Sequence, residues 1–224
     1  MFALLDSSPD ADVIAGTTRP PAPIRPGPVE RFNRAFAYYP RPLFSNGELY
    51  CLPTANVAIR RTVFLEAMGF DVNFCYAAGE DLNFFYRLQR RGVQFHLDEN
   101  WYVTHPVNDT LRSFAQRWYR YGYGTAQHRI RSDDERDYGL EADISAIKLL
   151  CSIPKHLRVM RGELRRKGKS CAGRVVWEPV LYDFLATIRH VSYLRGGRRA
   201  FSTERKRSRN ARSQAFAQPE GTSL

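Results

Sequence analysis

The stretch YAAGEDLNFFYRLQRRG, residues 76–92, places two acids, Glu80 and Asp81, directly behind Gly79 and at the mouth of a helix-patterned run. Adjacent carboxylates in that position have two uses. They complement the positive end of a helix dipole, or one of them accepts a proton from a hydroxyl as that hydroxyl attacks. His105 closes the apolar run WYVTH. An imidazole there either packs and hydrogen-bonds at a strand end or ligates a metal. Arg117 and Trp118 lie in AQRWYRYGYG. A planar guanidinium, from Arg117 or Arg120, matches diphosphate oxygens, and Trp118 or Tyr121 could stack on a sugar. The alternative for this segment is an amphipathic helix with its aromatic side in the core.

The elements that must carry these groups read as a mixed α/β chain. VIAGTTRP is β-branched, apolar and ended by Gly16, as a strand would be. The proline-rich residues 19–30 predict an extended loop, and VERFNRAFAYY a short helix. LYCLPTANVAIRRTVF reads as strand, loop, strand. TVFLEAMGF predicts a short helix with Thr62 as N-cap and Gly69 as its stop. Behind the acid pair, Leu82, Phe85 and Leu88 recur at helical spacing, flanked by Phe84, and Gly92 ends the run. VQFHLDENWYVTH predicts a strand, a turn and a second strand. TLRSFAQRWYRYGYG predicts a helix capped by Thr110 and ended by Gly122 or Gly124. ISAIKLLCSI and WEPVLYDFLATIRHVSYLRGG predict two more helices. In the second of these Pro179 suits the first turn, and Leu181, Phe184, Leu185, Ile188 and Val191 form one stripe. Residues 1–5 resemble the end of a helix.

Taken in order, N-x-A-x-R-R (Asn56, Ala58, Arg60, Arg61), Gly69-Phe70-Asp71, Gly79-Glu80-Asp81, Arg87-Leu88, Gly92 and His105 resemble family 2 glycosyltransferases of the GT-A fold. The resemblance covers roughly residues 1–125 and the C-terminal half of that family's catalytic domain. It implies an α/β, Rossmann-like transferase half at residues 1–131. A helical extension over 132–200 and a basic, disordered tail over 201–224 would follow. It implies sugar transfer from a nucleotide-sugar donor to a glycan or lipid-linked acceptor, with inversion. Asp81 would be the general base, kept ionised by the helix dipole, and Glu80 its support. Asn56, Arg61, Arg117 and Trp118 would contact substrate. His105 would ligate a divalent cation, Mg²⁺ or Mn²⁺. Asp10-Ala11-Asp12 has the letters of a DxD metal motif but precedes its strand, so it is not expected to bind the cation. The nucleotide-binding half of the family's domain is not recognisable. The chain is therefore expected to be a fragment, the product of a mis-started reading frame or one half of a split enzyme, weak in nucleotide-sugar binding and turnover by itself. The alternative function is a non-catalytic module that recognises a glycan or a partner chain.

Composition bounds the partners. Residues 1–150 hold 17 Lys and Arg against 18 Asp and Glu, whereas 151–224 hold 17 against 5. The whole net charge of +11 thus belongs to the last third. Such asymmetry suits an anionic surface, a phospholipid headgroup layer or nucleic acid, or a solvated tail. No recognised nucleic-acid fold accompanies it. No apolar run reaches membrane-spanning length, and the N-terminus has no signal-peptide pattern. The four cysteines are far apart without a CxxC pair, so neither a zinc site nor a disulfide framework is expected. The expected setting is cytoplasmic, peripheral at the inner face of a membrane.

Overall fold

The computed structural model describes residues 10–22, 26–36, 39–45, 48–106, 109–132 and 172–217. The expected helices at 1–5 and at ISAIKLLCSI, the linker after Ser132, and residues 218–224 lie outside them.

Strand β1 (Val13–Arg19) is the centre of a three-stranded sheet. Its first four residues are buried, as in a strand covered on both faces. On one side it pairs antiparallel with β4 (Val57–Ile59), with Val13 opposite Ile59. On the other it pairs in parallel with β5 (Phe95–Thr104). A separate hairpin joins β2 (Leu43–Ser45) to β3 (Glu48–Cys51). The expected strand-turn-strand at 93–105 is a single strand. Its turn survives as a bulge: Ala15 faces Leu97, and two residues later Thr17 faces Tyr102. The Asp98 carboxylate accepts the Asn100 N–H at 2.8 Å inside that bulge, so both halves stay on β1.

Helix α1 (Pro28–Ala35) begins with proline in its first turn. Helix α2 (Arg61–Glu66) starts two residues earlier than expected. Arg60, not Thr62, occupies its N-cap, with no side-chain cap bond. Gly69 ends this segment with φ +58°, its N–H on Phe64 O. Helix α3 (Glu80–Arg90) buries Leu82, Phe84, Phe85 and Leu88. These pack with Val13, Ala15, Leu52 and Ala67 into the main core. Burial of each such side chain contributes about 1.5–3 kcal/mol. Arg87 ties α3 to the end of α2 by donating to Ala67 O and Gly69 O.

Helix α4 (Leu111–Ser132) runs through Gly122 and Gly124 without a break. Its Thr110 Oγ1 accepts the Ser113 N–H, as expected of a cap. Helix α5 (Ala172–Ala217) is one unbroken element. It begins upstream of Pro179, passes through Gly196-Gly197, and continues as helix over the basic segment that was expected to be disordered. In its expected stripe Leu185 is buried but Phe184 is exposed; Tyr182 takes the core position. Val29, Phe32, Phe114, Tyr182 and Leu185 form a second core that joins α1, α4 and α5. No described helix is long and apolar enough to cross a membrane.

Three helical glycines, Gly122, Gly124 and Gly196, are backbone contacts. A Cβ on Gly122 would stand 1.8 Å from Tyr193 O, and one on Gly196 would stand 1.9 Å from Tyr119 O. A Cβ on Gly124 would stand 1.9 Å from Ala78 O, on the loop that leads into α3. Gly124→Ala is therefore expected to cost about 1–3 kcal/mol by urea denaturation. Gly27→Ala, at an N-cap whose φ of −66° any residue adopts and where nothing lies within 4 Å, should cost less, about 0.5 kcal/mol. Equal midpoints for the two variants would contradict the packing argument.

Candidate active site

The acid pair is carried by a glycine corner. Gly79 is the N-cap of α3 with φ +85° and ψ −15°, a left-handed conformation that favours glycine. Its carbonyl accepts the first helical bond, from Asn83 N–H at 2.9 Å. Asp81 Oδ1 accepts the Leu82 N–H at 2.8 Å. The N–H groups of Gly79 and of Asp81 itself face the same carboxylate, and so does that of Thr54. The first three contacts are what a capping acid makes. The fourth comes from across the chain, from the 3₁₀ turn Thr54–Asn56, which the carboxylate faces.

The dipole was expected to hold Asp81 ionised. Burial instead pushes its proton affinity above the usual carboxylate range, and the four N–H groups only moderate that rise. Burial raises Glu80 as well, and the neighbouring Asp81 charge adds to it. Glu80 Oε2 is buried with no hydrogen-bond partner among the described residues. Two carboxylates so placed favour one negative charge over two.

Asn56 is buried and fixes where this corner sits. Its Nδ2 donates to Thr17 O at 3.1 Å and to Trp101 O at 3.0 Å, bridging β1 and β5. That bridge lies toward the carboxyl end of the parallel pair. His105 follows the end of β5, and its N–H donates to Arg19 O at 2.9 Å. Asp81, through Thr54, and His105 therefore belong to the same edge of the sheet. Ligands of open α/β sheets bind outside the carboxyl ends of parallel strands. His105 Nδ1 is buried without a hydrogen-bond partner among the described residues. It fits one coordination position of a cation. No group of three or more His, Cys, Asp or Glu that could hold a metal exists among the described residues, so they do not supply a complete ligand set. Asp12 sits at the amino end of β1, where it accepts the Gln94 N–H at 3.1 Å and lies 3.8 Å from Arg60.

The remaining candidates lie apart from this corner. Arg61 opens α2 beyond Ile59, which pairs with Val13; it is exposed at the opposite, amino-terminal edge of the sheet. Arg117 pairs with Asp109 and donates to Asn33 Oδ1 at 3.3 Å, which ties α4 to α1. Trp118 is half-buried between Phe114, Tyr121 and Tyr193, with the Arg189 guanidinium 5.0 Å from its ring. Beside them, α4, α5 and Tyr76 enclose a groove of about 530 Å³ that includes Tyr119, Arg120 and Arg195. Asp81 does not line it; Tyr76, on the loop leading to Gly79, does.

A family profile, glycosyl transferase family group 2, matches residues 30–197. The chain belongs to this family. The match takes in α1 through most of α5, so the helical pair is inside the matched region of the transferase. The mixed α/β architecture is compatible with a GT-A-like fold. No curated protein and no solved structure matches the chain.

The groove residues of α5 were not singled out from the sequence. Ser192 and Arg195 carry no local signal; they join Tyr76 and Tyr119 only through the contact between two distant helices. The corner itself makes a thermodynamic prediction. An acid whose affinity for protons is higher in the folded chain destabilises the fold when ionised. Stability then falls as pH rises from the unfolded value, about 3.9, through the raised folded value. Asp81→Asn in the transferase should raise the unfolding free energy at pH 7 by about 1 kcal/mol, and the difference should vanish in acid. A variant that is less stable, with a gap independent of pH, would contradict the assigned direction.

Proposed function

We propose that this transferase moves a sugar from a nucleotide-sugar donor to a hydroxyl of a glycan or lipid-linked acceptor, with inversion, and that Asp81 is its general base. The observation that supports this reading is the raised proton affinity of a carboxylate fixed at the carboxyl edge of β1 and β5. The acceptor oxygen forms a bond to the anomeric carbon while the bond to the diphosphate oxygen breaks on the opposite face. The hydroxyl proton passes to Asp81. A carboxylate held by N–H groups does not reorganise as it accepts that proton, and a raised affinity brings it nearer the operating pH, where a base is most effective. Glu80, half-buried alongside, limits how far the pair can ionise.

A divalent cation, Mg²⁺ or Mn²⁺, would neutralise charge on the leaving diphosphate. We assign His105 one of its ligand positions on the strength of the orphaned Nδ1. The exposed cations on the outer side of α5, among them Arg198, Arg199, Arg205 and Lys206, support docking of the chain at an anionic membrane surface.

Asp81→Asn should lower kcat by roughly 10²–10⁴-fold while acceptor binding, read by calorimetry, stays within about twofold of wild type. A transferase of undiminished rate would remove Asp81 from the chemistry. Loss of nothing because no transfer exists in the wild type would favour the glycan-binding module. For the cation, Mn²⁺ titration should selectively broaden the His105 ring resonances. Broadening spread over surface carboxylates, with His105 unaffected, would take the metal elsewhere.

A further inference from the structure

We propose that the groove between α4 and α5 holds the acceptor, and that it selects a saccharide bearing an anionic group, a carboxylate or a phosphate, through Arg120 and Arg195. The word acceptor rests on the transferase reading above; the binding itself does not.

The groove is the right size for a sugar or two: about 530 Å³, inside the range of roughly 300–1,000 Å³ that small-molecule sites occupy. Its chemistry is divided. Tyr76 and Tyr119 meet edge to face, with ring centres 6.2 Å apart. Tyr76 is held a second time by Tyr123 at 5.0 Å. These rings offer fixed apolar faces of the kind that pyranose C–H groups cover. Gln116 on α4 and Ser192 on α5 bring side-chain donors and acceptors for hydroxyls.

The cations decide the class of ligand. Gln116, Tyr119 and Arg120 follow i, i+3, i+4 spacing on α4, and Ser192 and Arg195 follow i, i+3 on α5, so each set shares one helix face. The two faces meet across the groove, which places two exposed guanidinium groups on one opening. Among the described residues neither Arg120 nor Arg195 has an ion-pair partner. The Asp109 carboxylate also lines the groove, but it is already paired with Arg117 and so offsets neither of them. Two like charges left facing one cavity are relieved by an anion between them. A planar guanidinium pairs two parallel N–H donors with two oxygens of a carboxylate or of a phosphate.

The groove also has a direction. Tyr76 stands on the segment that runs through Ala78 and Gly79 into the acid pair, and Gly124 of α4 presses on that same segment. A saccharide anchored between Arg120 and Arg195 lies beside the loop that carries Asp81.

The test is calorimetric binding to the full chain with four probes: a glucose–glucuronate tetrasaccharide, a neutral glucose tetrasaccharide, glucose 1-phosphate and uridine diphosphate. The uronate and the sugar phosphate should each bind at least roughly tenfold more tightly than the neutral sugar, as expected for hydrogen bonds to charged groups. Arg195→Gln and Arg120→Gln should each erase most of that preference, weakening the charged probes by far more than the neutral sugar. Arg195→Lys should restore part of it. Equal affinity for charged and neutral sugars would overturn the inference, as would a preference that survives the double variant. Binding of uridine diphosphate to the same arginines at least roughly tenfold more tightly than the uronate or the sugar phosphate would also overturn it, by making the groove a donor diphosphate site. Transfer without the anionic preference removes this inference alone. The preference in a chain that transfers nothing removes the transferase reading and leaves an anionic-glycan site.

Discussion

The structure depends on one backbone contact, where Ala78 and Gly79 meet Gly124. Neither glycine can carry a Cβ: the positions such atoms would take lie 2.4 Å and 1.9 Å from the opposing backbone. Gly79 additionally needs its positive φ to turn the chain into α3. Helix α4 thereby braces the N-terminus of α3 directly, without intervening side chains. The chain of support continues outward, because Gly122 of α4 rests on Tyr193 of α5 and Gly196 of α5 rests on Tyr119. The last third of the molecule is thus mechanically part of the corner that holds Glu80 and Asp81. Substitutions far along α5 should be felt at the carboxylates through packed backbone, which yields little.

Two opposing influences meet at Asp81. The helix start supplies N–H groups that favour the charged form, and burial favours the neutral form; burial prevails. The outcome suits a base, which must give up its charge during the reaction. It also places the cost on the fold: the group proposed as the base is one whose ionised state the fold tolerates poorly. Such conflicts between stability and chemistry are characteristic of working sites. His105 shows a related economy, since its backbone is fastened to Arg19 while a buried ring nitrogen has no partner among the described residues.

Much of the frame was legible because it rests on local pattern. The buried run Val13–Gly16, the spacing of Leu82, Phe85 and Leu88, and the Thr110 cap each act over a few residues and reappear in place. The errors share a cause. Gly122 or Gly124 reads as a helix end because glycine weakens an isolated helix; in the fold both, like Gly196, are sites of close approach between elements distant in the chain. The bulge at Asp98–Asn100 was read as a turn between two strands because only β1, eighty residues upstream in the sequence, keeps both halves on one ladder. For Asn56 the structure adds a role that no spacing in the sequence encodes: its Nδ2 donates to two carbonyls on two strands. Arg61 matched its motif yet faces the far edge of the sheet, since β4 runs antiparallel to β1.

The account turns on whether the proton leaving the acceptor is taken by this one carboxylate. The measurement that addresses it most directly is a carbon-13 NMR titration of the Asp81 side-chain carboxyl, set beside the acid limb of kcat/KM against pH. The account predicts a midpoint above the ordinary aspartate value of about 3.9, coinciding with the pH at which activity rises. A carboxyl that titrates at or below the ordinary value, or a rate limb that follows a different group, would contradict it.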